Sequence, residues 1–288
     1  MKKVFLSLVA VLLCGVTFAQ TTISIGDTAA FKKIGKVAEY PANGNYILTA
    51  DLDLGDLGTL NTSIIPTFSG TFDGNGKTIK YQAAFQGVEG TLDYSLFGSV
   101  SGKIENLNVN ASVSLGGTVN NMNVALICGS LTSSGVIEKC NVSRDVNSEV
   151  VPNGRGGSDA GLIVGECAGT VRYCKGEGNV AGVGYVGGLI GQMTGSASVL
   201  GCSFSGSVNA ASPSNSSGTR YGSFAGGICG FASDNSTLNF CLADASVDGI
   251  KVSSGIASTS IYFEGYEVPV IGLPEKLVSF NPPCAPAL

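Results

Sequence analysis

The feature that most constrains this chain is a short pattern that returns through its middle. An apolar residue, two variable residues and then Leu or Cys recur at Ile104–Leu107, Ile137–Cys140, Val171–Cys174, Val199–Cys202 and Leu238–Cys241, at offsets of 33, 34, 28 and 39 residues. Each unit also holds a small-apolar element ending in glycine: SLFG (95–98), LICG (126–129), LIVG (162–165), GLIG (188–191) and GICG (227–230). Two residues before that glycine stand Leu96, Ile127, Ile163, Leu189 and Ile228. Two after it stand Val100, Leu131, Cys167, Met193 and Ala232. Apolar positions spaced by two mark the inward face of a short strand. A glycine recurring at one position marks either a bend needing positive φ or a place where a neighbour leaves no room for a Cβ.

Short strands, repeated corners and a unit near 30 residues predict a parallel β-solenoid, with each coil pairing with those above and below. Leucine-rich repeats have a comparable period, but their asparagine-marked spacing is absent and almost no segment has a helical period. A β-propeller would need four longer antiparallel strands per unit. Glycine at 42 of 288 residues is about twice the usual share, which a stack of tight corners explains. Charged residues make up only 13% of the chain.

The first nineteen residues have a basic start at Lys2 and Lys3, an apolar run from Val4 to Leu13 and small residues ahead of Gln20. That is the pattern of a secretory signal peptide, with a run too short to span a bilayer. Cys14 offers a different reading, as the lipid-accepting residue of a lipoprotein, although Leu13 before it is bulky for such a site. Removing the leader leaves 14 basic residues against 21 acidic ones. An acidic exported chain is a poor partner for nucleic acid or anionic membranes. Histidine is absent, which removes imidazole-based triads, bases and metal sites.

The stretch IIPTFSGTFDGNGKTI (64–79), preceded by NYILTADLDL (45–54), resembles the entry segment of proteins that carry the GLUG repeat. GLIVG (161–165), GLIG (188–191) and GICG (227–230) are similar to the motif that names the repeat, and VRYC, VLGC and LNFC to the strand that opens its next coil. The resemblance covers about residues 22–262. It departs where Ile64 and Ile65 stand in place of a Trp before the Pro, and Lys77 in place of a His. It implies an all-β, right-handed parallel β-helix on or secreted from bacterial cells. Such repeats accompany adhesins and the non-catalytic part of some immunoglobulin-cleaving peptidases.

The expected organisation is a signal peptide over 1–19, an N-terminal cap over 20–44, the β-helix over 45–262 and a proline-rich cap or tail over 263–288. Solenoid ends leave backbone groups unpaired and need covering. Asp27 or Thr28 is a plausible N-cap for a short capping helix that carries Ala29, Ala30, Phe31 and Ile34. Two insertions, at 142–160 and 206–224, lie between the Cys-ending strand and the Gly-ending element. They hold Arg144, Asp145, Arg155, Asp159, Arg220 and Tyr221, read as candidate ligand-contact loops or as solvated loop tips.

Cys140, Cys174, Cys202 and Cys241 fall in one repeat column and are expected to stack as buried thiols, because in-register side chains fit a disulfide torsion poorly. Cys128 and Cys229 share a second column three coils apart. Cys167 and Cys174 are the pair spaced to approach across a turn. Without histidine or a Cys-x-x-Cys pair, neither a metal site nor a cofactor is indicated. Calcium at turn acids is left open.

Asp51, Asp53 and Asp56 alternate along a strand-like segment, and Asp73 opens an Asp-Gly-Asn-Gly turn. These patterns are ordinary for strands and turns. Tyr40, Tyr46, Tyr81 and Tyr94 suit either sugar stacking or the core. The reading favoured by the residues is a non-catalytic binding protein or adhesin for a host or cell-surface glycan or protein. A polysaccharide-acting β-helix enzyme and a structural envelope component are the alternatives.

Overall fold

The computed structural model describes residues 21–117, 121–150, 158–211, 223–233, 235–247, 250–253, 260–263 and 266–267. The chain winds through four faces in turn. One coil runs through Lys103–Glu105, Asn108–Gly117, Met122–Val124 and Cys128–Leu131 before Val136–Glu138 opens the next. Stacked coils build four sheets, called here sheets 1 to 4 in that order. Their pairing is parallel and in register, as in Ile104↔Ile137↔Val171↔Val199↔Leu238. This is the expected parallel β-helix.

The core is a set of ladders running up the solenoid. Leu96, Ile127, Ile163, Leu189 and Ile228 are all fully buried, as are Val100, Leu131, Cys167 and Met193 to within 1%. Ala232, expected in that second column, is exposed.

The bend between sheets 1 and 2 uses left-handed backbone at one stacked position. Asn106, Lys139, Tyr173 and Phe240 have φ between 51° and 57°, and Gly201 takes 61° in the same column. The amides of Asn106, Lys139, Tyr173 and Gly201 bond the coil above, as in Lys139 N–H to Arg172 O (3.0 Å) and Tyr173 N–H to Leu200 O (2.9 Å). The residue after each is the predicted Leu/Cys column. Cys140 N–H meets Cys174 Sγ at 3.5 Å, and Cys174 N–H meets Cys202 Sγ at 3.5 Å.

All seven described cysteines are buried free thiols. Cys167 lies in Val164–Cys167 of sheet 4, whereas Cys174 sits at the bend from sheet 1 to sheet 2. Cys14 and Cys284 lie outside the described residues.

At the N-terminal end, the helix Thr28–Phe31 forms where expected. Asp27 accepts the Ala30 amide at 2.7 Å. Phe31 then packs edge-on against Phe72 (5.8 Å) and Phe97 (6.1 Å), closing the end of the core. Thr22–Ile25, within the expected cap, already pairs in parallel with Asn45–Leu48, so sheet 1 starts earlier than residue 45. At the far end the ladder reverses. Ile250–Ser253 and Ser260–Phe263 add antiparallel to sheets 2 and 3. The leader and the proline-rich stretch from residue 268 onward lie outside the described residues.

Of the two readings of the tyrosines, the core one holds for three. Tyr46, Tyr81 and Tyr94 are core residues, and Tyr81 donates to Leu126 O at 2.7 Å. Asp53 and Asp56 do not continue a plain alternating strand. Each accepts the amide two residues on, at Gly55 (3.0 Å) and Gly58 (2.8 Å), and the register of Leu52–Leu60 shifts there.

Candidate functional site

The functional candidate is an external groove where the outer faces of sheets 3 and 4 meet. Sheet 3 turns Tyr94, Val124, Ala160, Val186 and Ala225 inward, all fully buried. Alternation then sends their predecessors outward: Asp93, Asn123, Asp159, Tyr185 and Phe224, in register on successive coils. Sheet 4 presents Ser99, Ser130, Glu166, Gln192 and Phe231 in the same way.

The two rows touch, so the angle between the sheets is concave. The repeat's closing glycines form its floor. A Cβ on Gly129 would stand 2.6 Å from Asp93 Cβ, on Gly165 2.8 Å from Asn123 Cβ, on Gly191 2.5 Å from Ala160 N, and on Gly230 2.5 Å from Val186 N. None of these four has positive φ. Their role is close approach, which leaves the second of the two sequence-level explanations standing.

Contents change along the groove. At the N-terminal end, Asp93 Oδ1 accepts from Asn123 Nδ2 (3.1 Å) and Ser130 Oγ (2.5 Å), and Asn123 Nδ2 also donates to Ser130 Oγ (2.8 Å). That end is internally satisfied. At the C-terminal end, Tyr185, Phe224 and Phe231 form a ring cluster with centroids 4.8–6.3 Å apart. All three remain partly open to solvent.

Between them lie Asp159 and Glu166. Thr194 Oγ1 donates to Glu166 Oε1 at 3.4 Å. Asp159 has no hydrogen-bond donor or cation on its carboxyl among the described residues. Burial first, and the Glu166 charge second, push the Asp159 carboxyl well above the usual carboxylate range. Burial and Asp159 likewise raise Tyr185.

The insertion residues therefore occupy different places from those expected. Asp159 stands in the strand Ser158–Ala160 of sheet 3, not on a loop tip. Arg144 and Asp145 also leave the expected loop, because Asn141–Ser143 and Val146–Val150 on either side are both strands of sheet 2. Arg144 occupies a sheet kink at φ 96° that stacks on Gly178 and Gly206. Asp145 accepts from Asn179 N–H (3.1 Å) and Nδ2 (2.8 Å). Arg155, Arg220 and Tyr221 lie outside the described residues. Among the described residues, no group of three or more Cys, Asp or Glu is placed to hold a metal ion.

Sheet 2 offers a second concavity, a shallow trough of about 540 Å³ lined by side chains such as Lys80, Asn110, Asn141, Lys175 and Glu177. Its asparagines pair with neighbouring polar side chains, as in Asn141 Nδ2 to Asn108 Oδ1 at 2.8 Å and Asn110 Nδ2 to Ser143 Oγ at 3.0 Å. The groove adds half-open rings beside a carboxyl that no donor meets among the described residues.

No model of a known protein family matches the chain, and no curated protein matches it. Among solved structures, it is similar to the crystal structure of a putative immunoglobulin A1 protease from Bacteroides ovatus. The identity is 17%, the TM-score 0.57, and the likeness covers 83% of this chain and 80% of that one. At that identity the likeness concerns the fold. The two chains share a β-helix architecture.

Proposed function

We propose that this chain is an exported, non-catalytic β-helix that binds a host or cell-surface glycan or protein through the groove between sheets 3 and 4. It would act as a bacterial cell-surface adhesin or ligand-binding module of GLUG-repeat type. The observation that carries this reading is the junction of unsatisfied Asp159 and neighbouring Glu166 with the half-open rings of Tyr185, Phe224 and Phe231. Polar groups without partners beside accessible aromatic surface are what a recognition site supplies and a finished core does not. The leader-like residues 1–19 support export, and among the described residues no helix is long and apolar enough to cross a membrane.

Arrays of glycans and host proteins, probed with the wild-type chain and with Phe231→Ala, test the reading. Binding that Phe231→Ala abolishes supports it. Binding that survives the substitution, or no binding at all, overturns the groove as the site, and the latter outcome favours a structural envelope component.

One observation favours a second reading, a polysaccharide-acting enzyme. A carboxyl whose proton affinity is raised by burial, beside a second carboxyl, is the arrangement of a general acid and its partner. Release of reducing ends from a polysaccharide panel, lost in Asp159→Asn, would establish it in place of the first.

A further inference from the structure

Resting on the groove reading above, we infer that the groove's ligand is a basic segment of a partner polypeptide. A lysine or arginine side chain would lie with its stem along Tyr185, Phe224 and Phe231 and its cation against Asp159 and Glu166.

Charge argues first. Two carboxyl groups converge on one coil, and among the described residues no cation answers them: the ion pairs formed there engage Lys103 and Arg172 with Glu105 and Glu138 on sheet 1. An anionic ligand such as a uronate or sulfated glycan would meet like charge at close range. A neutral ligand could donate hydroxyls to the carboxyls but would bring no charge to answer theirs, and a bare metal ion would leave the rings unused.

Geometry then selects a side chain with an apolar stem and a charged head. Asp159 and Tyr185 are register partners on adjacent coils, about 4.8 Å apart. A four-carbon lysine stem or the arginine equivalent spans about one strand spacing. Its methylenes would cover the rings while its head reached the carboxyls, the same division between apolar body and charged tip that such side chains show at protein surfaces. Aromatic faces add to the attraction for a cation.

The groups facing the Asp159 carboxyl are Glu166 from sheet 4, Tyr185 from the next coil and the buried Cys229 thiol, with Asp93 two coils away. An incoming cation lowers the proton affinity that these surroundings raise. Binding should therefore tighten as pH rises through the raised Asp159 value.

The test uses a Gly-Ser peptide carrying arginine at alternate positions and its counterpart carrying citrulline, titrated calorimetrically into the full chain at low salt. The arginine peptide is expected to bind at least about tenfold tighter, a difference of about 1.4 kcal/mol. Asp159→Asn and Glu166→Gln should each erase most of that difference. Asp244→Asn, an exposed acid on sheet 2, should leave it intact. Thermal melts of each variant verify folding.

Equal binding of the two peptides, absence of binding, or equal loss in Asp244→Asn overturns the inference. Array ligands that lack a cation yet depend on Phe231 would sink it while leaving the groove reading in place. Array ligands indifferent to Phe231 would sink that reading itself.

Discussion

Gly191 sits directly against Asp159: a Cβ on the glycine would stand 2.6 Å from the Asp159 carbonyl carbon and 2.5 Å from the Ala160 nitrogen. Both are backbone atoms within a sheet and cannot step aside cheaply. Gly191→Ala should therefore cost about 3 kcal/mol, at the upper end for overpacking. Gly195 provides the contrast, with φ +58 and nothing within 4 Å of its Cβ position. Gly195→Ala should cost only about 1 kcal/mol, the penalty for a left-handed backbone. Urea denaturation of the two variants, compared by midpoint at equal slope, would show whether contact or conformation fixes the groove glycine.

Asp159 sets the second expectation. Its folded-state proton affinity is raised by burial and by Glu166, so the native state binds a proton more readily than the unfolded chain. Stability then grows as pH falls through the raised value and levels off below the ordinary unfolded value of 3.8. Asp159→Asn mimics the protonated form. It should melt several degrees higher than wild type at neutral pH, with the gap closing toward pH 3.8. A variant less stable than wild type at pH 7 would show that the ionised carboxyl has a favourable partner.

Glu138 behaves in the opposite sense. On sheet 1 it is 6% exposed and holds both Lys103 (2.8 Å) and Arg172. The bond from Lys103 is the main cause of its lowered pKa, against burial, with Arg172 assisting. Its contribution is complete above the unfolded value near 4.5 and is lost as pH falls through the lower folded value. Because Lys103 and Arg172 are 34% and 43% exposed, solvent screens the pairing, and Glu138→Gln should cost about 1–2 kcal/mol at neutral pH. Acid titration of both proteins by circular dichroism should show the difference shrinking as pH falls below 4.5 and through the lower folded value.

The cysteine ladder gives a chemical readout. Burial pushes the Cys167 thiol up to about 12, and the bond with Cys174, with burial adding to it, raises Cys202 to about 12. At pH 8 only about one such thiol in ten thousand is ionised. A thiol reagent should leave the seven described cysteines untouched in the native chain and modify all of them, without prior reduction, in denaturant. Peptide mapping that finds any of these seven unmodified in denaturant would reveal a disulfide.

The sequence carried the architecture further than the site. Leu96, Ile127, Ile163 and Leu189 were visible as an inward row because packing repeats them every coil. The Asp27 cap was visible because helix starts need a side-chain acceptor. The stretch around Asp159 is long, polar and glycine-rich and reads as a loop, yet in-register pairing with Asn123 and Tyr185 makes it strand.

The groove escaped notice because it depends on the angle between two sheets, which no single coil's pattern states. A trace existed all the same. Counting from each closing glycine, the residue six before and the residue one after give Asn123 and Ser130, Asp159 and Glu166, Tyr185 and Gln192, Phe224 and Phe231. Phe240 and Tyr173 hid for another reason. Their left-handed corner is a backbone requirement imposed by the stack, and it overrides what bulky residues prefer.

The glycine floor has a further consequence. Because each coil contributes one residue to either wall and none to the interior ladders, the groove's chemistry is written in a frame separate from that of the apolar core. Substituting a single coil's pair changes one step of the inscription and leaves its neighbours legible. Duplicating a coil lengthens the inscription by one step. A lineage of such chains could thus alter what it grips step by step, with the interior ladders of Ile, Leu and Cys undisturbed.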